Sequence, residues 1–136
     1  RIGHVGLVES VAMLAAAFGW PLEAIDESLE PVVAERAIVT DHANVAAGTV
    51  AGIRQVAQGR SGGEARIRLQ LDMYVGTPNP GDTIRLLGSP NVTTTINGLH
   101  GDVCTAAMVV NGVGALPSLA SGLLTMLDVA PVRQRA

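Results

Sequence analysis

His100 and Asp102, with Gly101 between them and Thr105 just beyond, form the densest group of proton-handling and hydrogen-bonding side chains in the sequence. They fall where a β-branched run, Val92 to Ile96, gives way to Asn97-Gly98-Leu99 and then to apolar residues at helical spacing. At such a junction the unpaired backbone N–H groups and the helix dipole favour an anionic group. A histidine beside a carboxylate can also bind a polar ligand or relay a proton. Capping of the helix by Asp102, with His100 bonded to a nearby carbonyl, explains the same spacing without any ligand.

A second group alternates along one segment. Arg66, Arg68, Gln70, Asp72 and Tyr74 interleave with Ile67, Leu69, Leu71, Met73 and Val75, so one face of a strand is apolar and the other polar. That polar face is a solvated surface, the floor of a pocket, or a subunit interface, where Arg and Tyr are enriched. His4 precedes the first helical segment, with Glu9 and Ser10 following. It reads either as facing a cleft against a preceding domain or as an ordinary exposed residue near a terminus. His42, in an acidic loop, reads as surface.

Other chemistries find no support. Three scattered histidines and a single cysteine, Cys104, lack metal-ligand spacing and cannot make an intramolecular disulfide, so a reducing, cytoplasmic setting is expected. All 9 cations are Arg, which excludes Schiff-base chemistry by this chain's own residues. No Gly-x-Ser-x-Gly elbow is present. Gly48-Thr49-Val50-Ala51-Gly52 is too short, and too much part of a strand, to be a dinucleotide fingerprint. No cofactor is therefore expected on this chain alone. Asn91-Val92-Thr93 matches a glycosylation acceptor but lacks a secretory context.

The elements that must position these residues follow from composition and periodicity. With 136 residues, 48% hydrophobic and 15% charged, the chain fits one domain that buries roughly 68% of its unfolded surface. The net charge of −3 argues against nucleic acid or an anionic membrane as partner. The longest run free of charge and proline, Val103 to Leu116, is too short for a bilayer span of about 20 residues. The chain opens on Arg1-Ile2-Gly3 rather than Met, as a piece of a longer protein would.

Leu7, Val11, Leu14 and Phe18 mark a helix from Gly6 to Phe18, stopped by Gly19-Trp20-Pro21. Leu22 to Ala34 reads as an extended segment, irregular or edge-like near Pro31. Asp41 to Asn44 reads as a loop. Val45–Gln58 and Ala65–Val75 read as antiparallel strands joined by Gly59 to Glu64. Thr83–Leu87 and Val92–Ile96 read as short strands, and a second helix starts at an Asp102 cap and ends at Gly112 and Gly114. Leu123 to Val129 is expected to be extended or packed back on the sheet. The order suits an α+β fold, a mixed and largely antiparallel sheet with helices on one face. A half-polar sheet with so few helices also suggests a homodimer or larger homo-oligomer.

Five stretches in one order carry a family resemblance: His4 to Ser10, Leu29 to Glu35, Gly48 to Ile53, His100 to Ala107 with Val110-Asn111, and Gly122 to Met126. Together they resemble the C-terminal domain of 2,4-diaminopentanoate dehydrogenase and related NAD(P)-dependent amine dehydrogenases, similar in architecture to dihydrodipicolinate reductase. The resemblance implies a substrate-binding and dimerisation domain, residues 1–136, of an enzyme for reversible oxidative deamination. An N-terminal Rossmann domain, absent from this chain, would bind NAD(P), and the substrate would be a small amine or amino-acid-like molecule. Carried over by position, His4, His100, Asp102 and Thr105 would face the substrate, with Gln70, Asp72 and Tyr74 contributing from the sheet. The chain departs from the family pattern at Asn97-Gly98-Leu99 and at Cys104. Alone it is expected to be inactive. The alternatives are a self-standing dimeric ligand-binding or scaffold module and, ranked last, a hydrolase using His100 and Asp102.

Overall fold

The computed structural model describes residues 6–78 and 80–129. The chain divides into two compact units, Arg1–Pro78 and Asn79–Ala136.

The first unit is a helix laid on a three-stranded sheet. Helix α1 spans Gly6–Phe18, its first turn tied by the Ser10 hydroxyl donating to the Gly6 carbonyl at 2.7 Å. It stops where expected: Gly19 takes φ +65°, and the amides of Gly19 and Trp20 donate to the carbonyls of Ala16 and Ala15. Strands β1 (Ala24–Val33), β4 (Val50–Ser61) and β5 (Glu64–Tyr74) pair antiparallel in the order β1-β4-β5. Pro31 lies in the outermost strand β1, where the lack of an N–H is tolerated. The minimal strands β2 (Ile38–Val39) and β3 (Asn44–Val45) close a small ladder of their own, so Asn44 leaves the expected loop. The anticipated start of the long strand at Val45 moves to Val50, because Thr49 turns back to bond the Ala46 carbonyl and Gly48 adopts φ +78°.

The connection between β4 and β5 is tighter than the glycine content suggested. Gly62 and Gly63 alone form the turn, both at positive φ, as a two-residue hairpin of matching twist requires. Gly59, Arg60 and Ser61 stay in the strand. The carboxylate of Glu23 accepts from both turn amides, at 2.8 and 3.0 Å.

The core is small and lies under α1. Val11, Ala15, Ala57 and Ile67 are buried, with Leu7, Leu14, Trp20, Ile25 and Leu69 packed around them. Gly59 permits this close approach: a Cβ there would stand 2.6 Å from Val11 Cγ1. The apolar alternation of β5 is covered only in part. Ile67 is buried, whereas Met73 at the far end is 54% exposed.

The second unit holds the hairpin β6 (Gly81–Leu86) and β7 (Val92–Asn97), antiparallel, then helix α2 (Gly101–Val113) and a 3-10 turn at Leu116–Ser118. The second helix begins earlier than expected. His100 occupies the cap position with no side-chain capping bond, so Asp102 sits in the first turn rather than capping. Gly112 lies within the helix and Gly114 follows it. Within Leu123 to Val129, expected to be extended or packed on the sheet, Asp128 accepts from the Thr125 amide and hydroxyl, folding Thr125 to Asp128 into a turn, and Leu123 is fully exposed. No described residue of this unit is buried. None of the described helices is long and apolar enough to cross a membrane.

The architecture is α+β and antiparallel throughout.

Candidate functional site

The seven residues singled out by the sequence fall into two groups and one outlier. Gln70, Asp72 and Tyr74 stand on β5 in the first unit, and His100, Asp102 and Thr105 on the cap and first turns of α2 in the second. His4 lies outside the described residues.

On the sheet, strand alternation places Gln70, Asp72 and Tyr74 on the face turned away from α1. Antiparallel pairing sets Arg54 of β4 directly across from Asp72, and its Nε donates to Asp72 Oδ1. The other carboxylate oxygen accepts from Gln70 Nε2 at 2.7 Å, and Gln70 Oε1 accepts in turn from Arg68 Nη2 at 2.8 Å. A second ion pair, Arg60 to Asp26 at 2.8 Å, continues the polar face toward β1. The Arg54 bond and, after it, the Gln70 bond hold the Asp72 carboxyl below its ordinary range, and Asp72 holds Arg54 more firmly protonated in return. A carboxylate whose two oxygens are both engaged is a poor proton acceptor but a fixed negative charge. The backbone carbonyl of Tyr74 accepts from the hydroxyl and amide of Thr77, ending the strand.

Arg66 does not share this face. The ladder slips by one residue between Gly59 and Arg60, and at the resulting bulge the Arg66 guanidinium reaches over the Trp20 ring, 5.6 Å from its centroid, while its Nε donates to the Ser61 carbonyl. Trp20 also stacks on Phe18 at 4.6 Å.

Around α2, the His100 carbonyl accepts from the Cys104 amide at 2.9 Å; Asp102 and Thr105 are exposed and Cys104 is half-buried. Asp102 and Thr105, three apart, share one helix face. Asp102 places its carboxylate in the turn where the helix dipole is positive. A ligand meeting that end encounters a negative side chain, a setting for a polar or ammonium group rather than the anion the bare helix start suggested.

Two features escaped sequence reasoning. Gln55 is 2% exposed on the α1 side of β4 and donates to Glu27 Oε1 at 2.7 Å. Its position among Ile53, Ala57 and Gly59 in the inward alternation was the available signal. The other is an open cleft of about 380 Å³ lined by Arg36, Ala37, Ile38, Val39 and Gly76, near the lower limit for small-molecule sites. Gly76, at φ +83°, lets Ile38 approach, since a Cβ would meet its Cδ1 at 3.0 Å.

The described strands form no Rossmann-type unit. A βαβ unit needs parallel strands around a helix, and every strand pairing is antiparallel. Among the described residues no three of His, Cys, Asp and Glu converge on a possible metal site.

Comparison with known proteins supplies the deciding observation. Residues 1–135 match the model of the 2,4-diaminopentanoate dehydrogenase C-terminal domain. The chain belongs to this family. A 2,4-diaminopentanoate dehydrogenase of Acetoanaerobium sticklandii is 34% identical over 134 residues, covering 93% of the chain and 38% of that protein. The fold is shared with an amine dehydrogenase from Mycobacterium smegmatis, at a TM-score of 0.78 and 19% identity, over 92% of the chain and 38% of that structure. The chain thus spans well under half the length of these relatives.

Proposed function

We propose that this chain is the substrate-side and dimer-forming domain of an NAD(P)-dependent amine dehydrogenase, acting on a small amine or amino-acid-like molecule by reversible oxidative deamination. The observation that carries the reading is the family match along residues 1–135. It is supported by the antiparallel fold, which lacks a dinucleotide unit among its described residues, so a further Rossmann domain would hold NAD(P) and the hydride chemistry would belong to the cofactor. This chain's part is positioning. Asp102, with His100 and Thr105 beside it, would meet the ammonium group of the substrate. Gln70, Asp72 and Tyr74 would contribute from the sheet, and His4 belongs to the same proposal. Separated from the cofactor domain, the chain would be inactive, and a cytoplasmic location suits the enzyme.

The test is a reductive assay on two proteins, the 136-residue chain and the same chain joined to its family's cofactor domain. The joined enzyme should reduce NAD(P)+ with 2,4-diaminopentanoate or a simpler amine, and Asp102→Asn should raise KM more than it lowers kcat. Reduction of NAD(P)+ by the 136-residue chain alone would overturn the reading.

A further inference from the structure

The two edges of the three-stranded sheet are chemically unlike. The β1 edge carries Asp26, Glu27 and Glu30, no cation, and Pro31, so two copies of it repel and lack a donor. The β5 edge carries both signs in one strand, Arg68 and Asp72 four residues apart with Gln70 midway.

The backbone of β5 is arranged to match. The Val75 amide donates to the Ala51 carbonyl, so by antiparallel alternation the odd-numbered residues from Ile67 to Met73 turn their N–H and C=O groups toward β4, and Arg68, Gln70 and Asp72 turn theirs outward. Resting on the dimer reading above, we propose that β5 pairs antiparallel with β5 of a second copy about a two-fold axis through Gln70. Arg68 then faces the partner's Asp72, Gln70 faces the partner's Gln70, and about six backbone hydrogen bonds close the seam. On the opposite face Met73, now half exposed, meets the partner's Ile67, and Leu69 meets the partner's Leu71.

Neighbouring registers are worse. Sliding one way sets Arg68 against the partner's Arg68, and sliding the other sets Asp72 against the partner's Asp72, like charges directly opposite. Of the two intermediate registers, one sets Arg66 opposite Asp72, but Arg66 is committed to Trp20 and the Ser61 carbonyl, and the other sets Arg68 opposite Tyr74 and Asp72 opposite Gln70, so neither charge meets its opposite.

Sedimentation of the 136-residue chain tests the seam, with Trp20 fluorescence reporting that α1 still packs. Gln70→Pro removes an outward N–H at an edge position where proline is tolerated. It should keep the Trp20 signal and raise the dimer dissociation constant at least about tenfold, or ~1.4 kcal/mol. Arg68→Asp and Asp72→Arg should each weaken the dimer similarly, and the double exchange should restore it. A Gln70→Pro protein that keeps its Trp20 signal and remains dimeric would overturn this seam while leaving the dimer itself standing. A monomeric unsubstituted chain would overturn both. Failure of the double exchange to restore association, with both single variants folded, would overturn the register.

Discussion

The two units are built from similar parts and reach different ends. Each combines a 13-residue helix with antiparallel strands. In the first, Val11 and Ala15 of α1 drop into a surface made flat by Gly59 and small by Ala57, and a core forms. In the second, α2 exposes Val103, Val109, Val110 and Val113, and the hairpin exposes Ile84, Leu86 and Val92. The lesson is that apolar content does not make a core; one face must offer room for the other to approach. Exposed apolar surface on this scale is uncommon on a free-standing domain, and the chain spans 38% of its relatives' length.

The contrast can be broken most forcefully at Val11. Val11→Asp would leave an unpaired charge in a fully buried site and should cost at least about 3 kcal/mol, unfolding the first unit in urea with loss of the stacked Trp20 environment. Gly59→Ala places a methyl 2.6 Å from Val11 Cγ1 and should cost about 1–3 kcal/mol by overpacking, read as a lower urea midpoint.

Asp72→Asn sharpens the contrast between core and open face. The pair is partly exposed, so the loss at neutral pH should be about 0.2–1 kcal/mol. Because the folded Asp72 carboxyl lies below its ordinary value, that stability is fully present above the unfolded carboxylate pKa of about 4 and fades as pH falls through the depressed folded value. The urea midpoints of the two proteins should therefore converge in acid. Smallest of all, Val110→Asp, at a site 71% exposed, should change the isolated chain's stability by less than about 0.5 kcal/mol. A cost there as large as at Val11 would show that the second unit has a core after all.

Much of this was legible beforehand. The α1 stripe, the Gly19 stop and the β5 alternation rest on local spacing and local sterics, and all three appear in the structure. The Arg54 to Asp72 pair was not, because it depends on the cross-strand register set by the two-residue turn and the bulge at Arg60. The departure of Arg66 from the polar face has the same cause. The Asp102 cap failed because glycine at 101 can enter the helix, shifting its start by two residues.

Short-range physics thus made legible from the residues alone the α1 helix, the β5 alternation, the Gly19 stop, the absence of lysine and of paired cysteines, and the family. Tertiary structure decided how far the apolar alternation is covered, which charges meet, and that α2 and its hairpin present their apolar residues outward. Those outcomes depend on contacts between residues far apart in the chain, and a one-residue slip in a ladder reassigns every partner beyond it.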